Sequence, residues 1–259
     1  MTIDITGISN ENEFYTHHYL SAILEKDLKD VFKQWNQRSQ DTGTPQPQAL
    51  LGSLRKPFFT ALTSLEREKD TQQRLSIQRK FAARLLSALG YEYHFQVVDL
   101  DDAGSIPLLG GIQKPNGAPD LWIMESLADI EDSADPLEMS IDPAQYPEGK
   151  ADTSPRGRII MGQAIEEVIT RHVFGRSEPP RWVLLMEFSR VLLLDRTKWH
   201  EKRVLRFDIR EILDRRETTT LQAMAALLHK DSICPTDGTP YWIPWMKIPT
   251  NMPLPYPKI

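Results

Sequence analysis

The strings in this chain with the right residue types and spacing for chemistry are short and few. Pro119-Asp120 opens the apolar run LWIM, and an aspartate at the mouth of a buried strand is placed to bind a divalent cation. Such a site needs a second carboxylate and then a lysine two residues on. Together these groups hold the metal and polarise an attacking water, a chemistry suited to phosphodiester hydrolysis. Glu148-Gly149-Lys150 supplies the literal continuation and is the only Glu-x-Lys in the sequence. Its surroundings, QYPEGKADTSP, offer no apolar strand to fix two side chains in place. Asp120, Glu148 and Lys150 form one candidate triad, with Asp120 as the metal ligand.

Two other carboxylates compete for the second position. Glu125 closes the same run that Asp120 opens, but a spacing of five sends the two to opposite faces of a strand unless a bulge intervenes. Ser126 and Leu127 follow it where the lysine belongs. Glu187, in MEFSR, also has a serine in the lysine position and reads equally well as part of a hairpin turn. Carboxylates are present and a strand-borne lysine is missing, so the pattern suits a nuclease-like site that has decayed. Magnesium enters only if Asp120 works with Glu125 or Glu148.

Other chemistries are excluded by absence of their residues. The sequence has no Gly-x-Gly and no Gly-Lys-Ser/Thr, so no phosphate-cradling loop, and no Gly-x-Ser-x-Gly nucleophile elbow. Cys234 is the only cysteine, which rules out a disulfide framework, a multi-cysteine zinc site and a redox pair. His17 and His18 are adjacent on an expected helix and cannot share a ligand, while His229 and Cys234 make half a metal site at best.

The elements that must position these groups follow from periodicity. Apolar residues from Phe14 to Trp35 recur every three or four positions and predict an amphipathic helix over 12–35, capped by Ser9 or Asn10. QDTGTPQPQ (40–48) predicts a loop. DTQQRLSIQRKFAARLLSALG predicts a helix that starts at Asp70/Thr71 and stops at Gly90. Strands are expected at 91–100 and 121–124, then a helix over 162–174. RWVLLMEFSRVLLLDR predicts a hairpin turning near 187–189, followed by the strand LRFDI, the short helix REILDRR and a last helix over 220–229. This order is α/β, a mixed sheet flanked by helices.

Charge is unevenly distributed over a chain whose net charge is −5. Residues 125–152 hold nine Asp or Glu against one Lys together with three prolines, which predicts a mobile acidic loop that buries little. Residues 171–216 hold twelve Lys or Arg against seven Asp or Glu, either a solvated face or a phosphate-facing one. If the latter, the charge density singles out Arg181, Arg190, Arg196, Lys198, Lys202 and Arg203 as DNA contacts. Trp182 and Trp199 are expected to pack in the hairpin region, with stacking on a base as the alternative. After Thr239 the text becomes PYWIPWMKIPTNMPLPYPKI, with six prolines in twenty residues, which fits neither a helix nor a central strand.

Four stretches, NEFYTHHYLSAILEKDLKD, APDLWIMES, EPPRWVLLMEFSRVLLLDRTKWHEKRVLRFDIREIL and AALLHKDSICPTDGT, together resemble the N-terminal region of large adenine-specific DNA methylases of restriction-modification systems. The likeness is greatest to the fused methylases of type II systems and to the methylase of DISARM phage defence, and it covers most of residues 8–239. It implies a restriction-endonuclease-like fold, in which Asp120 would belong to a PD-(D/E)XK pattern, ahead of a methyltransferase domain. The sequence departs from that family where catalysis would lie. An adenine methylase needs an (Asn/Asp)-Pro-Pro-(Tyr/Phe) tetrad to hold the flipped base. The one Pro-Pro here, at 179 and 180, is followed by arginine. The glycine-rich turn for S-adenosylmethionine is absent too, so the chain by itself is expected neither to bind that cofactor nor to methylate. The change of composition at Pro240 suggests replaced, out-of-frame sequence and a natural truncation.

Three functional expectations result. The first is a DNA- or partner-engaging module of a prokaryotic defence methylase, acting on double-stranded DNA and catalytically incomplete. The second is a magnesium-dependent nuclease, and the third a protein-interaction subunit that docks on other restriction or defence subunits. The expected organisation is an N-terminal helical arm (1–56), a nuclease-like α/β core (57–217) with the acidic loop 125–155, and a helix with the proline-rich tail (218–259). No apolar run approaches the roughly 20 residues of a membrane span and no signal peptide opens the chain, so a cytoplasmic protein is expected.

Overall fold

The computed structural model describes residues 5–16, 18–19, 24–100, 103–129, 134–147, 151 and 160–235. Glu148, Lys150 and the proline-rich tail lie outside the described residues.

Seven strands form one mixed sheet: β1 (Ile8–Glu11), β2 (Gln96–Asp99), β3 (Ser105–Gln113), β4 (Pro119–Glu125), β5 (Trp182–Met186), β6 (Arg190–Asp195) and β7 (Val204–Asp208), in spatial order β1-β7-β6-β5-β4-β3-β2. Every neighbouring pair is antiparallel except β4 and β5, which run parallel in continuous register from Leu121 opposite Trp182 to Glu125 opposite Met186. A parallel step requires a crossover, and residues 126–181 provide it. Because both faces are covered, the central strands read as unbroken apolar runs and not as alternating ones. WVLLM is buried at all five positions.

One face is packed by helices α1 (Leu24–Thr42), α2 (Pro47–Ser53), α3 (Arg55–Arg67), α4 (Thr71–Ala88), α6 (Ile209–Arg215) and α7 (Thr218–Leu228). Its core includes Trp35, Phe58, Phe81, Phe188 and Phe207. The other face is covered by the crossover, with Leu137, Ile141 and Tyr146 packed beside α5 (Ile165–Val168) and the π-helical turn Ile169–Val173. A four-residue helix, α8 (Lys230–Ile233), follows α7. The first core draws residues from Ile8 to Cys234, so the three expected segments share one hydrophobic interior.

The α4 expectation is met in detail. The Asp70 side chain accepts from the Gln73 N–H as N-cap, and Gly90 takes φ 79° just past the end. The hairpin closes where expected, with the Glu187 N–H donating to the Arg190 carbonyl at 2.9 Å.

Three expectations need correction. The strand expected over 91–100 is confined to Gln96–Asp99. The helix expected from Asn12 is replaced at its start by β1 and a tight turn, in which Asn12 and Glu13 adopt φ 49° and 57°. Phe14 and Tyr15 are buried by this turn, so apolar spacing there reflects packing and not helical period. The acidic stretch is not simply a mobile loop. Over 134–147 it forms a 3-10 turn (Pro143–Gln145), buries three apolar side chains, and ties Asp135 to Arg206 at 2.7 Å.

Candidate functional site

The parallel pair gives the sheet two chemically distinct ends. Asp120 and Arg181 lie where β4 and β5 begin, with the Arg181 N–H donating to the Asp120 carbonyl at 2.9 Å. Glu125 and Glu187 lie where the two strands finish. Five residues of extended chain put roughly 16 Å between Asp120 and Glu125. The β3–β4 register shifts between Ile112 and Gln113 and leaves Asp120 as an extra residue of β4, but an irregularity at that end does not bring it near Glu125 at the other end of the strand. They cannot share a metal ion.

Each carboxylate has its own occupation. Glu125 is 2% exposed and receives Arg79 of α4 in a two-pronged ion pair, with Arg79 Nε at 3.1 and 3.0 Å from the two carboxylate oxygens. Burial raises the Glu125 carboxyl above its ordinary range, and the Arg79 contacts oppose the shift. The same guanidinium donates to the Gln145 carbonyl at 2.6 Å, and the Gln145 amide donates back to the Glu125 carbonyl at 3.1 Å. Beside them Gln78 donates to the Ser126 carbonyl at 2.7 Å and accepts from the Ala128 N–H at 2.9 Å. Helix α4 therefore fastens the segment that leaves β4.

Glu187 is also buried, and its Oε2 accepts from the Ser189 N–H, the Ser189 hydroxyl and the Arg190 N–H at 2.9, 2.8 and 3.1 Å. Burial raises its carboxyl as well, with the Ser189 and Arg190 contacts pulling the other way. This is a turn-closing side chain, the hairpin role read from MEFSR. A cavity of about 20 Å³, room for roughly one water, lies against it with Asp129, Ser189 and Arg210 in its wall. Asp120 stands 3.9 Å from Lys114 Nζ and beside Cys234, whose thiol is pushed far above its usual range chiefly by burial and further by Asp120. Among the described residues no group of three or more His, Cys, Asp or Glu side chains is arranged to hold a metal ion.

The six cations singled out for DNA do not form one surface. Arg190 begins β6, and Arg196 follows its far end about 20 Å away. Arg190 lies 3.4 Å from the Glu187 carboxylate, and Arg181 lies 3.8 Å from the buried Asp195 carboxylate and over the Trp182 ring. Lys202 pairs with Glu166 and stacks on Trp199, while Arg203 pairs with Glu201. Lys198 is buried, donates to the Phe14 carbonyl at 2.7 Å, and sits over the Phe14 and Tyr15 rings. Burial lowers its pKa to about 8. Only Arg196 of the six makes no side-chain hydrogen bond or ion pair among the described residues. Trp182 and Trp199 are buried, the latter donating to Thr170 Oγ1 at 2.8 Å, so neither presents a ring to a base.

Sequence reasoning passed over a second basic region. Residues 54–90 carry eight Lys or Arg against three Asp or Glu, the same excess of five as 171–216. The signal was available in α4, which has four basic residues and no acidic one.

No protein-family model, curated protein or solved structure matches this chain.

Proposed function

We propose that this chain is a DNA-engaging module of a prokaryotic restriction-modification or phage-defence methylase, and that it binds without turning over. The observation that carries the non-catalytic half is the separation of Asp120 from Glu125 together with the closure of Glu125 by Arg79. A hydrolytic metal site needs two carboxylates converging on one ion and an open coordination position. Here Glu125 is neutralised by a guanidinium and Asp120 lies at the opposite strand end, while Glu148, the other candidate partner, lies outside the described residues.

The finer fold reading, a restriction-endonuclease-like domain, is part of the same proposal. It is supported by a mixed sheet with one parallel step, helices on both faces, and Pro119-Asp120 at the opening of a strand beside that step. The DNA-engaging half is supported by the resemblance of the four sequence stretches and by local cationic excess in an acidic chain. Binding that rests on phosphate contacts releases counterions, so affinity for duplex DNA should fall steeply with salt. Titration of a labelled duplex at several salt concentrations, in magnesium and in chelator, tests both halves. Salt-insensitive binding contradicts the phosphate contacts, and strand cleavage abolished by Asp120→Ala contradicts the non-catalytic assignment.

A further inference from the structure

Helices α3 and α4 form an antiparallel pair whose outer surface is grooved. The groove, about 370 Å³, has Pro57, Ala61, Ile77 and Phe81 in its floor, with Lys56, Lys80 and Arg84 at its rim and no carboxylate in its lining. The placement follows from helical spacing. Lys80 and Arg84 are one turn apart on α4, and Lys56 sits four residues before Thr60 on α3, so all four side chains converge on one strip. Lys56, Lys80 and Arg84 are exposed, and among the described residues none of them makes an ion pair or a side-chain hydrogen bond. They differ in this from five of the six cations singled out in 171–216, Arg196 being the exception.

The groove continues past its own rim. A depression on the α3 side shares Lys56 and Thr60 with it and adds the Arg55–Asp214 ion pair and the Thr63 and Ser64 hydroxyls, which donate to the Phe59 and Thr60 carbonyls. Another on the α4 side shares Lys80 and adds Gln72 and Ser76. The result is a cationic strip, edged with hydroxyl and amide groups, that runs across both helices. A strip suits a linear polyanion better than a small ligand. With the Thr63 and Ser64 hydroxyls and the Gln72 amide donating to backbone carbonyls, the cations are the groups left to position a phosphodiester backbone, whereas an acidic peptide helix would need deep apolar pockets for its anchors.

We propose that the α3–α4 groove is the surface that contacts the phosphate backbone of duplex DNA, with Lys56, Lys80 and Arg84 as phosphate ligands. The proposal rests on the DNA-engaging reading above and assigns it to a place the basic hairpin region does not occupy. The test is fluorescence anisotropy of a labelled duplex against the full chain, its Lys56→Gln/Lys80→Gln/Arg84→Gln variant and its Lys202→Gln/Arg203→Gln variant, each over a salt series. Three lost phosphate contacts should lower the log–log salt slope by about 3, equivalent to roughly forty-fold in affinity between about 50 and 200 mM salt. The Lys202/Arg203 variant should keep the parent slope. All three altered groove residues are exposed, so the thermal midpoint should not move; if the triple variant unfolds, Lys80→Gln alone should lower the slope by about one. A triple variant with the parent slope overturns the groove and leaves the DNA reading standing, while a parent chain that does not bind duplex at low salt overturns both. A variant that loses poly-glutamate but keeps DNA identifies an acidic protein segment as the occupant and also overturns the proposal.

Discussion

Arg79 crosses from the middle of α4 to the last residue of β4 and grips both carboxylate oxygens of Glu125 with one nitrogen, at 3.1 and 3.0 Å. The guanidinium lies 4.4 Å from the centre of the Phe95 ring and also holds the Gln145 carbonyl. A candidate catalytic carboxylate is thereby turned into a fastener between a helix, a strand and the crossover.

Removing one partner of a buried ion pair leaves an uncompensated charge, so Arg79→Ala should cost about 3 kcal/mol in urea unfolding at neutral pH. Glu125 has a raised pKa, so in that variant the carboxyl can take up a proton and the loss should shrink as pH falls toward 5. A loss independent of pH would show that Glu125 is not the orphaned group.

His229 is packed against Trp35 with ring centres 5.0 Å apart, and its Nδ1 accepts the Asp231 N–H at 3.1 Å. Burial lowers its pKa to about 4. The folded state therefore refuses a proton that the unfolded chain takes up near pH 6.5, and the contribution present above pH 6.5 is lost as pH falls to about 4. Relative to His229→Asn, the parent chain should lose roughly 3 kcal/mol across this window, read from unfolding curves at several pH values.

Lys198 shows a pKa depression of the same sign at the other end of the pH scale. Its folded pKa of about 8 lies below the ordinary 10.5, chiefly through burial, with Asp195 opposing the shift and Arg203 and Arg181 adding to it. The cost of burying the ammonium is fully present below pH 8 and fades as pH rises toward 10.5, so parent stability should rise relative to Lys198→Met over that interval. The same variant should leave the salt slope of DNA binding unchanged, since Nζ is directed at the Phe14 carbonyl and not at solvent.

Phe188, at the tip of the β5–β6 hairpin, stacks on Phe58 at 5.0 Å and 12° and also touches Phe81 at 5.3 Å. Phe188→Ala should cost about 3–5 kcal/mol, far more than an ordinary turn substitution. A loss under 1 kcal/mol would mean that the turn does not anchor on α3 and α4.

The elements that local physics dictates were legible in the sequence: α4 from its cap and terminal glycine, the hairpin from two apolar runs around MEFSR, and β7 with α6 from LRFDIREILDRR. Other features depended on contacts distant in sequence. Residues 8–11 become a strand because β7 offers a free edge, and the buried Phe14 and Tyr15 imitate helical spacing only because their turn lies on the core. In the acidic stretch, Asp135 looked solvated until Arg206, 71 residues away, closed on it.

The site was half legible for the same reason. Glu187 could be read as a turn residue from its neighbours, whereas Glu125 could be assigned only once Arg79, 46 residues earlier, was seen to reach it. Charge counting found a basic region but not its occupancy. The excess of five in 171–216 and that in 54–90 are equal on paper, and they differ in how many cations already have partners within the fold.

The most direct test of a module that holds DNA without cutting it is one sample read two ways: a labelled duplex incubated with the chain in magnesium at low salt, followed by anisotropy and then by denaturing gel. The expected result is a bound duplex recovered at full length, with binding lost as salt is added. Shortened strands, or a duplex that never binds, would contradict it.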